Sequence, residues 1–154
     1  MISRKFLLLA TVALFCMIFI GTTQTAPLNK RWFGVAYADF YNEIAGQWSW
    51  TTDGYEVDKG ADSGFYRFRG SFTRGFKKDS NIQNYEFFAI TKDGKKIDYT
   101  KDFRKNVKIF PAGGTSPFQK DYKGIDAIKL AGGTFFVKHK GKKLSEASIK
   151  YVYY

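Results

Sequence analysis

The sequence predicts a mainly β protein: a single-domain antiparallel sandwich or barrel with one short N-terminal helix. Two observations lead there. Beyond Gln47 the chain breaks into six or more short runs of β-branched and aromatic residues, and glycine-bearing turns separate them. No repeat of fixed period and no low-complexity linker divides the 154 residues, a length that suits one domain.

The first element is an address. Arg4 and Lys5 precede an apolar run of 15 residues from Phe6 to Ile20, and small polar residues follow from Gly21 to Ala26. A membrane-spanning helix needs roughly 20 apolar residues. Basic start, short apolar middle and small-residue exit together read as a secretory signal over residues 1–25. Residues 26–31 form a short tail, with a dibasic pair at Lys30-Arg31 where it could be trimmed, and residues 32–154 form the β-rich domain. The expected location is extracellular. The single cysteine, Cys16, lies inside the signal, so the mature chain has no disulfide to stabilise it. Of the 16 Phe, only Phe6, Phe15 and Phe19 leave with the signal, so 13 remain beside 10 Tyr and 3 Trp. An aromatic core is the expected substitute for cross-links, at about 1.5–3 kcal/mol for each well-buried large side chain.

Phe33, Ala36, Tyr37, Phe40, Tyr41 and Ile44 recur at three- and four-residue spacing, with Gly46 as a C-terminal cap. That spacing predicts a helix, although aromatic residues also favour strands. In the next element, Tyr66, Phe68, Phe72 and Phe76 share one parity while Arg67, Arg69, Ser71 and Thr73 share the other. This is the alternation of a strand with one wet face, bent at Gly70 and Gly75. Asp93-Gly94 between Tyr85–Thr91 and Lys96–Tyr99 predicts a hairpin. Val107–Phe110 reads as a short strand stopped by Pro111. Ile125–Leu130 and Thr134–His139 read as a second hairpin around Gly132-Gly133. Gly141 turns the chain toward a last strand, Ile149–Tyr154.

Charge is uneven. The chain carries 25 Lys and Arg against 14 Asp and Glu, a net +11, and removal of Arg4 and Lys5 leaves +9. Residues 32–64 sum to −5 and residues 65–154 to +12. The positive charge therefore belongs to the strand-rich part, where it favours anionic partners.

Two basic clusters are the candidate anion-binding residues. Arg67, Arg69, Arg74, Lys77 and Lys78 follow one strand. Forked guanidinium groups suit sulfate, phosphate and carboxylate. Lys138, Lys140, Lys142 and Lys143 surround Gly141 together with His139. Each cluster has a plainer alternative, a solvated strand face or a charged turn that blocks edge pairing. Arg104, Lys105 and Lys108 form a weaker third cluster. Trp48, Trp50 and Tyr55 are a candidate aromatic contact for sugars or a membrane edge, against the alternative that they are core. Asp53, Glu56, Asp58 and Asp62 lie in a Gly-punctuated loop without the spacing of a calcium loop.

Catalysis finds little support. There is one histidine, His139, and no phosphate-binding Gly-Lys-Ser/Thr loop or His-Glu-x-x-His motif. No enzyme, no cofactor, no metal and no physiological nucleic-acid partner is expected.

Signal, strong basicity, absence of cysteine and aromatic richness over about 130 mature residues together resemble a known profile. It is that of the small salivary effectors of blood-feeding insects, the erythema-inducing vasodilators of blackfly saliva in particular. The resemblance covers the whole chain and carries no motif or site residue over. It implies a secreted vasoactive protein acting on a host vascular receptor or channel. The residues themselves lead to a non-enzymatic effector that binds anionic cell-surface or matrix molecules. The two alternatives are a membrane-active toxin or antimicrobial protein, touching the bilayer peripherally, and a carbohydrate- or glycosaminoglycan-binding module.

Overall fold

Alternation of buried and exposed side chains builds two antiparallel sheets whose inner faces share one aromatic core. In the computed structural model the described residues are 34–52, 65–124 and 127–153, all within the unit Trp32–Tyr154. The strands are β1 (Gly34–Tyr41), β2 (Ala45–Thr52), β3 (Phe65–Arg74), β4 (Tyr85–Ile90), β5 (Lys96–Asp98), β6 (Phe118–Lys123), β7 (Thr134–His139), β8 (Lys142–Ser148) and β9 (Lys150–Tyr153). A single short helix among the described residues, α1 (Thr100–Asn106), lies between β5 and β6. One sheet runs β6-β3-β2-β1-β9 and the other β5-β4-β7-β8. The architecture is a sandwich; the sheets do not close into a barrel.

Phe135 of β7 is the centre of the core. Its ring meets Phe40 of β1 at 5.5 Å, Trp50 of β2 at 5.5 Å and Phe68 of β3 at 5.7 Å, all edge to face. Trp48 packs on Phe68, Phe72 and Phe103, each at 5.0 Å. Interlocked rings of this kind add about 0.5–1.5 kcal/mol per pair beyond area burial. The side of the sandwich beside β6 is closed by α1. Asp102 accepts hydrogen bonds from Lys120 Nζ at 2.5 Å and Tyr122 Oη at 2.7 Å on β6. Thr100 Oγ1 accepts the Phe87 N–H of β4 at 2.9 Å, and Phe103 points into the core. At the other side the chain passes directly from β8 to β9 through buried Ile149.

Several elements differ from expectation. The stretch with helical spacing is β1: Ala36, Ala38 and Phe40 are buried, while Tyr41 is 75 % exposed. A four-residue spacing is also a multiple of two, so Ala36 and Phe40 fit both periods, and pairing with β2 and β9 decides for the strand. The one helix therefore sits in mid-chain rather than at the N-terminus. Val107–Phe110 makes only an isolated bridge, Ile109 with Thr115. Ala127–Leu130 is a 3-10 turn, so no hairpin forms around Gly132-Gly133, and β7 pairs with β4 and β8 instead. The hairpin at Gly141 leads into β8, which the sequence pattern did not show. The hairpin around Asp93-Gly94 and the last strand are present as expected.

Candidate basic site

The connection from β3 to β4, Phe76–Tyr85, crosses from one sheet to the other. It fastens three basic segments around itself. Asp79 lies immediately after Lys77 and Lys78. Its Oδ2 stands 2.8 Å from His139 Nε2 and 3.5 Å from Lys140 Nζ, and accepts Asn84 Nδ2 at 2.8 Å. Its Oδ1 accepts the Asn81 N–H at 2.9 Å. His139 stacks on Tyr85 at 4.7 Å, and the Lys140 N–H donates to the Asn84 carbonyl at 2.8 Å. The His139 hydrogen bond, then the Asn81 and Asn84 donors, hold the Asp79 carboxyl well below the usual carboxylate range. Asp79 thus acts as an ionised clamp between Lys77-Lys78 and the β7–β8 turn.

The third cluster joins at the same place. Gln83 Nε2 donates to the Arg104 carbonyl at 3.3 Å, and Arg104 Nε donates to the Tyr85 carbonyl at 3.2 Å. Beyond Lys105 and Lys108 the chain makes a tight turn, with the Gly113 N–H donating to the Phe110 carbonyl at 2.8 Å. The Phe76 N–H donates to the Gly113 carbonyl at 3.0 Å. A Cβ on Gly113 would fall 2.9 Å from the Lys77 nitrogen, so the turn lies directly against Lys77. Lys77, Lys78, Lys105, Lys108, Lys140 and Lys142 are all exposed here. A groove of about 590 Å³ lined by Gln83, Asp98, Thr100, Lys101, Arg104 and Lys105 flanks them. Exposed Phe110 projects from the same turn.

The remaining expected site residues lie elsewhere. Arg67 and Arg69 are on the outer face of the five-stranded sheet, away from the basic end, so the expected surface combining them with Lys138–Lys143 is not formed. Arg67 is further committed to a forked pair with Asp121, at 2.8 and 3.0 Å. Arg74 ends β3 and is exposed. Lys138 faces outward on the four-stranded sheet, 5.2 Å over the Phe88 ring. Lys143, opposite it in register, pairs with Glu146 at 3.1 Å. Trp48 and Trp50 are completely buried and offer no platform for a sugar or membrane. Their shared parity points into the core, where aromatic area is most stabilising. Tyr55, the acidic loop, the dibasic pair and the signal lie outside the described residues.

Comparison with protein-family models, curated proteins and solved structures found no match. The chemistry of the site therefore rests on its own geometry. His139 and Asp79 form a hydrogen-bonded pair, and Asp79 also accepts from Asn81 N–H and Asn84 Nδ2 and faces Lys140 Nζ. The pair holds chain segments together. The cations around it offer a broad, solvent-facing positive surface, suited to a polymer of repeated negative charge.

Proposed function

We propose that this is a secreted, non-catalytic effector that binds anionic polymers of the extracellular surface and matrix, sulfated polysaccharide above all, through its basic end. The observation that carries the reading is the convergence of Lys77-Lys78, Lys140-Lys142 and Arg104–Lys108 on the Phe76–Tyr85 connection. Secretion is supported by the Phe6–Ile20 run behind Arg4 and Lys5. The resemblance to salivary vasodilators supports placing the partner on host vessels, where local capture on the wall would raise the concentration near a receptor or channel.

Heparin binding over a salt series tests the polymer reading. Affinity falls with salt because neutralised charges release counterions, with a log–log slope of about one per contact. The variant Lys77→Glu/Lys78→Glu/Lys140→Glu lowers that slope by about three, whereas Lys92→Glu/Lys95→Glu at the far hairpin leaves it nearly unchanged. Equal losses from both variants would refute a localised site. Relaxation of precontracted vessel rings tests the vasoactive part, and inert rings at any tolerated dose would remove it.

Exposed Phe110, 47 % accessible in the turn whose Gly113 lies against Lys77, favours a second reading in which the same end docks on anionic bilayers. Binding to phosphatidylserine vesicles that depends on Phe110 distinguishes it from polysaccharide capture.

A further inference from the structure

The outer face of the five-stranded sheet carries a groove that the basic end does not use. Register sets its walls: Tyr37 on β1 lies opposite Ser49 on β2, Ser49 opposite Arg69 on β3, and Arg69 opposite Gln119 on β6. All four point outward. Two strand spacings put the Tyr37 and Arg69 backbones about 10 Å apart, and the small Ser49 between them leaves the floor low. Two cavities of about 590 and 620 Å³ meet at Gln47, Ser49 and Arg69. Either volume accommodates a small organic ligand.

The charge of this groove is specific. Arg69 makes no ion pair or hydrogen bond among the described residues. The two carboxylates nearest in register are occupied. Asp121 is held by Arg67 at 2.8 Å, and Asp39 accepts Gln47 Nε2 at 3.0 Å. Among the described residues, the polar groups that line the cavities beside the guanidinium are neutral: the hydroxyls of Ser49, Thr51 and Ser71 and the amides of Gln47 and Gln119. One cation among hydroxyls and amides, faced by one aromatic ring, matches a ligand with one acidic group, several hydroxyls and an apolar ring face. It does not match a dense polyanion.

We propose that this groove is a second binding site, selective for a single acidic sugar of the uronate type. The Arg69 guanidinium takes the carboxylate through two parallel N–H donors. Tyr37 covers the C–H face of the sugar ring. Gln47, Ser49 and Thr51 exchange hydrogen bonds with its hydroxyls. The site is independent of the basic end and lies on a different face.

Titration of the protein with sodium glucuronate, followed by backbone amide NMR at constant ionic strength, tests this. Glucose and acetate serve as ring-only and charge-only probes. Glucuronate is expected to shift the amides of Tyr37, Ser49 and Arg69, and to bind at least about tenfold more tightly than either probe. Arg69→Gln lowers that affinity at least about tenfold, and Ser49→Phe, which fills the floor, removes it. Both positions face outward, so both variants keep the fold. The basic-end variant Lys77→Glu/Lys78→Glu/Lys140→Glu binds glucuronate as the parent does, which separates this site from heparin capture. Affinity equal to that of acetate, shifts centred on Lys140 and Lys142, or unchanged binding by Arg69→Gln would each overturn the proposal, as would no binding at about 10 mM glucuronate.

Discussion

Tyr99→Phe removes a single buried oxygen on which two other buried groups depend. Trp50 Nε1 donates to the Tyr99 hydroxyl at 3.0 Å, and the Tyr66 hydroxyl lies 3.2 Å from it. Trp50 and Tyr99 are fully buried and Tyr66 is 1 % exposed, so water cannot replace the lost partner without opening the core. The substitution removes almost no volume, which isolates the polar effect from cavity formation. Each buried polar group left unsatisfied costs about 1–3 kcal/mol, so the variant loses about 2–6 kcal/mol. Urea unfolding followed by tryptophan fluorescence measures this, since Trp48 and Trp50 both move from the core to water. The double variant Tyr66→Phe/Tyr99→Phe leaves only the Trp50 N–H orphaned and recovers about 1–3 kcal/mol of the loss. A cost below about 0.5 kcal/mol for Tyr99→Phe, or a double variant less stable than the single, would refute the assignment of this hydroxyl as the shared partner.

Three further outcomes follow from the same structure. Gly70→Ala brings a Cβ within 2.3 Å of the Gln47 carbonyl oxygen and 2.7 Å of the Trp48 indole, so β2 and β3 must separate. Thermal unfolding should show a loss of at least about 1–3 kcal/mol. Asp79→Ala releases the clamp on the basic end. Amides of Ile82–Asn84 and Lys140 then exchange faster, and the heparin salt slope falls. Because Asp79 titrates lower when folded than when unfolded, its stabilising effect is present above about pH 4 and lost as pH falls further. Parent and variant stabilities measured by urea unfolding should therefore converge in acid. At high pH the sign is reversed. Burial raises Tyr99, Tyr122 and Tyr66, and the Asp102 hydrogen bond raises Tyr122 further. Their protons are retained in the folded state after the unfolded chain has released them. Stability present below about pH 10 then declines above it, and Tyr122→Phe lessens the decline in urea titrations at successive pH values.

Where one side of a strand is core and the other is water, parity alone is informative. Tyr66, Phe68 and Phe72 go in, and Arg67, Arg69 and Thr73 go out. β3 and the β4–β5 hairpin were legible for that reason. β8 was not, because its inward positions are Ser145 and Ala147, too small and polar to mark a buried face. β6 was hidden by Lys120, which shares the parity of Phe118 and Tyr122 and turns toward Asp102 of α1. β1 was masked by its own aromatics. Tyr37 and Tyr41 stand on the outer face, and their apolar character erased the alternation that Ala36, Ala38 and Phe40 would otherwise display.

The candidate site divides in the same way. That the chain is basic, holds a single cysteine at Cys16 and carries enough aromatic area for a core is a matter of composition, which survives any arrangement. So is the basic–apolar–small order of residues 4–26, because its length and charge order are local. Which cations act together is not local. Lys77-Lys78 and Lys140 are some sixty positions apart, and the pairing of β4 with β7 and the contacts of Asp79 and Asn84 with His139 and Lys140 bring them to one end. Arg67 and Arg69, two positions apart and of equal parity, were equivalent in the sequence. Pairing with β6 made them different by placing Asp121 opposite Arg67 and Gln119 opposite Arg69. Composition determined the sign of the protein's surface. Strand order and register, set by long-range pairing, decided where that charge is concentrated and which guanidinium has no ion pair among the described residues.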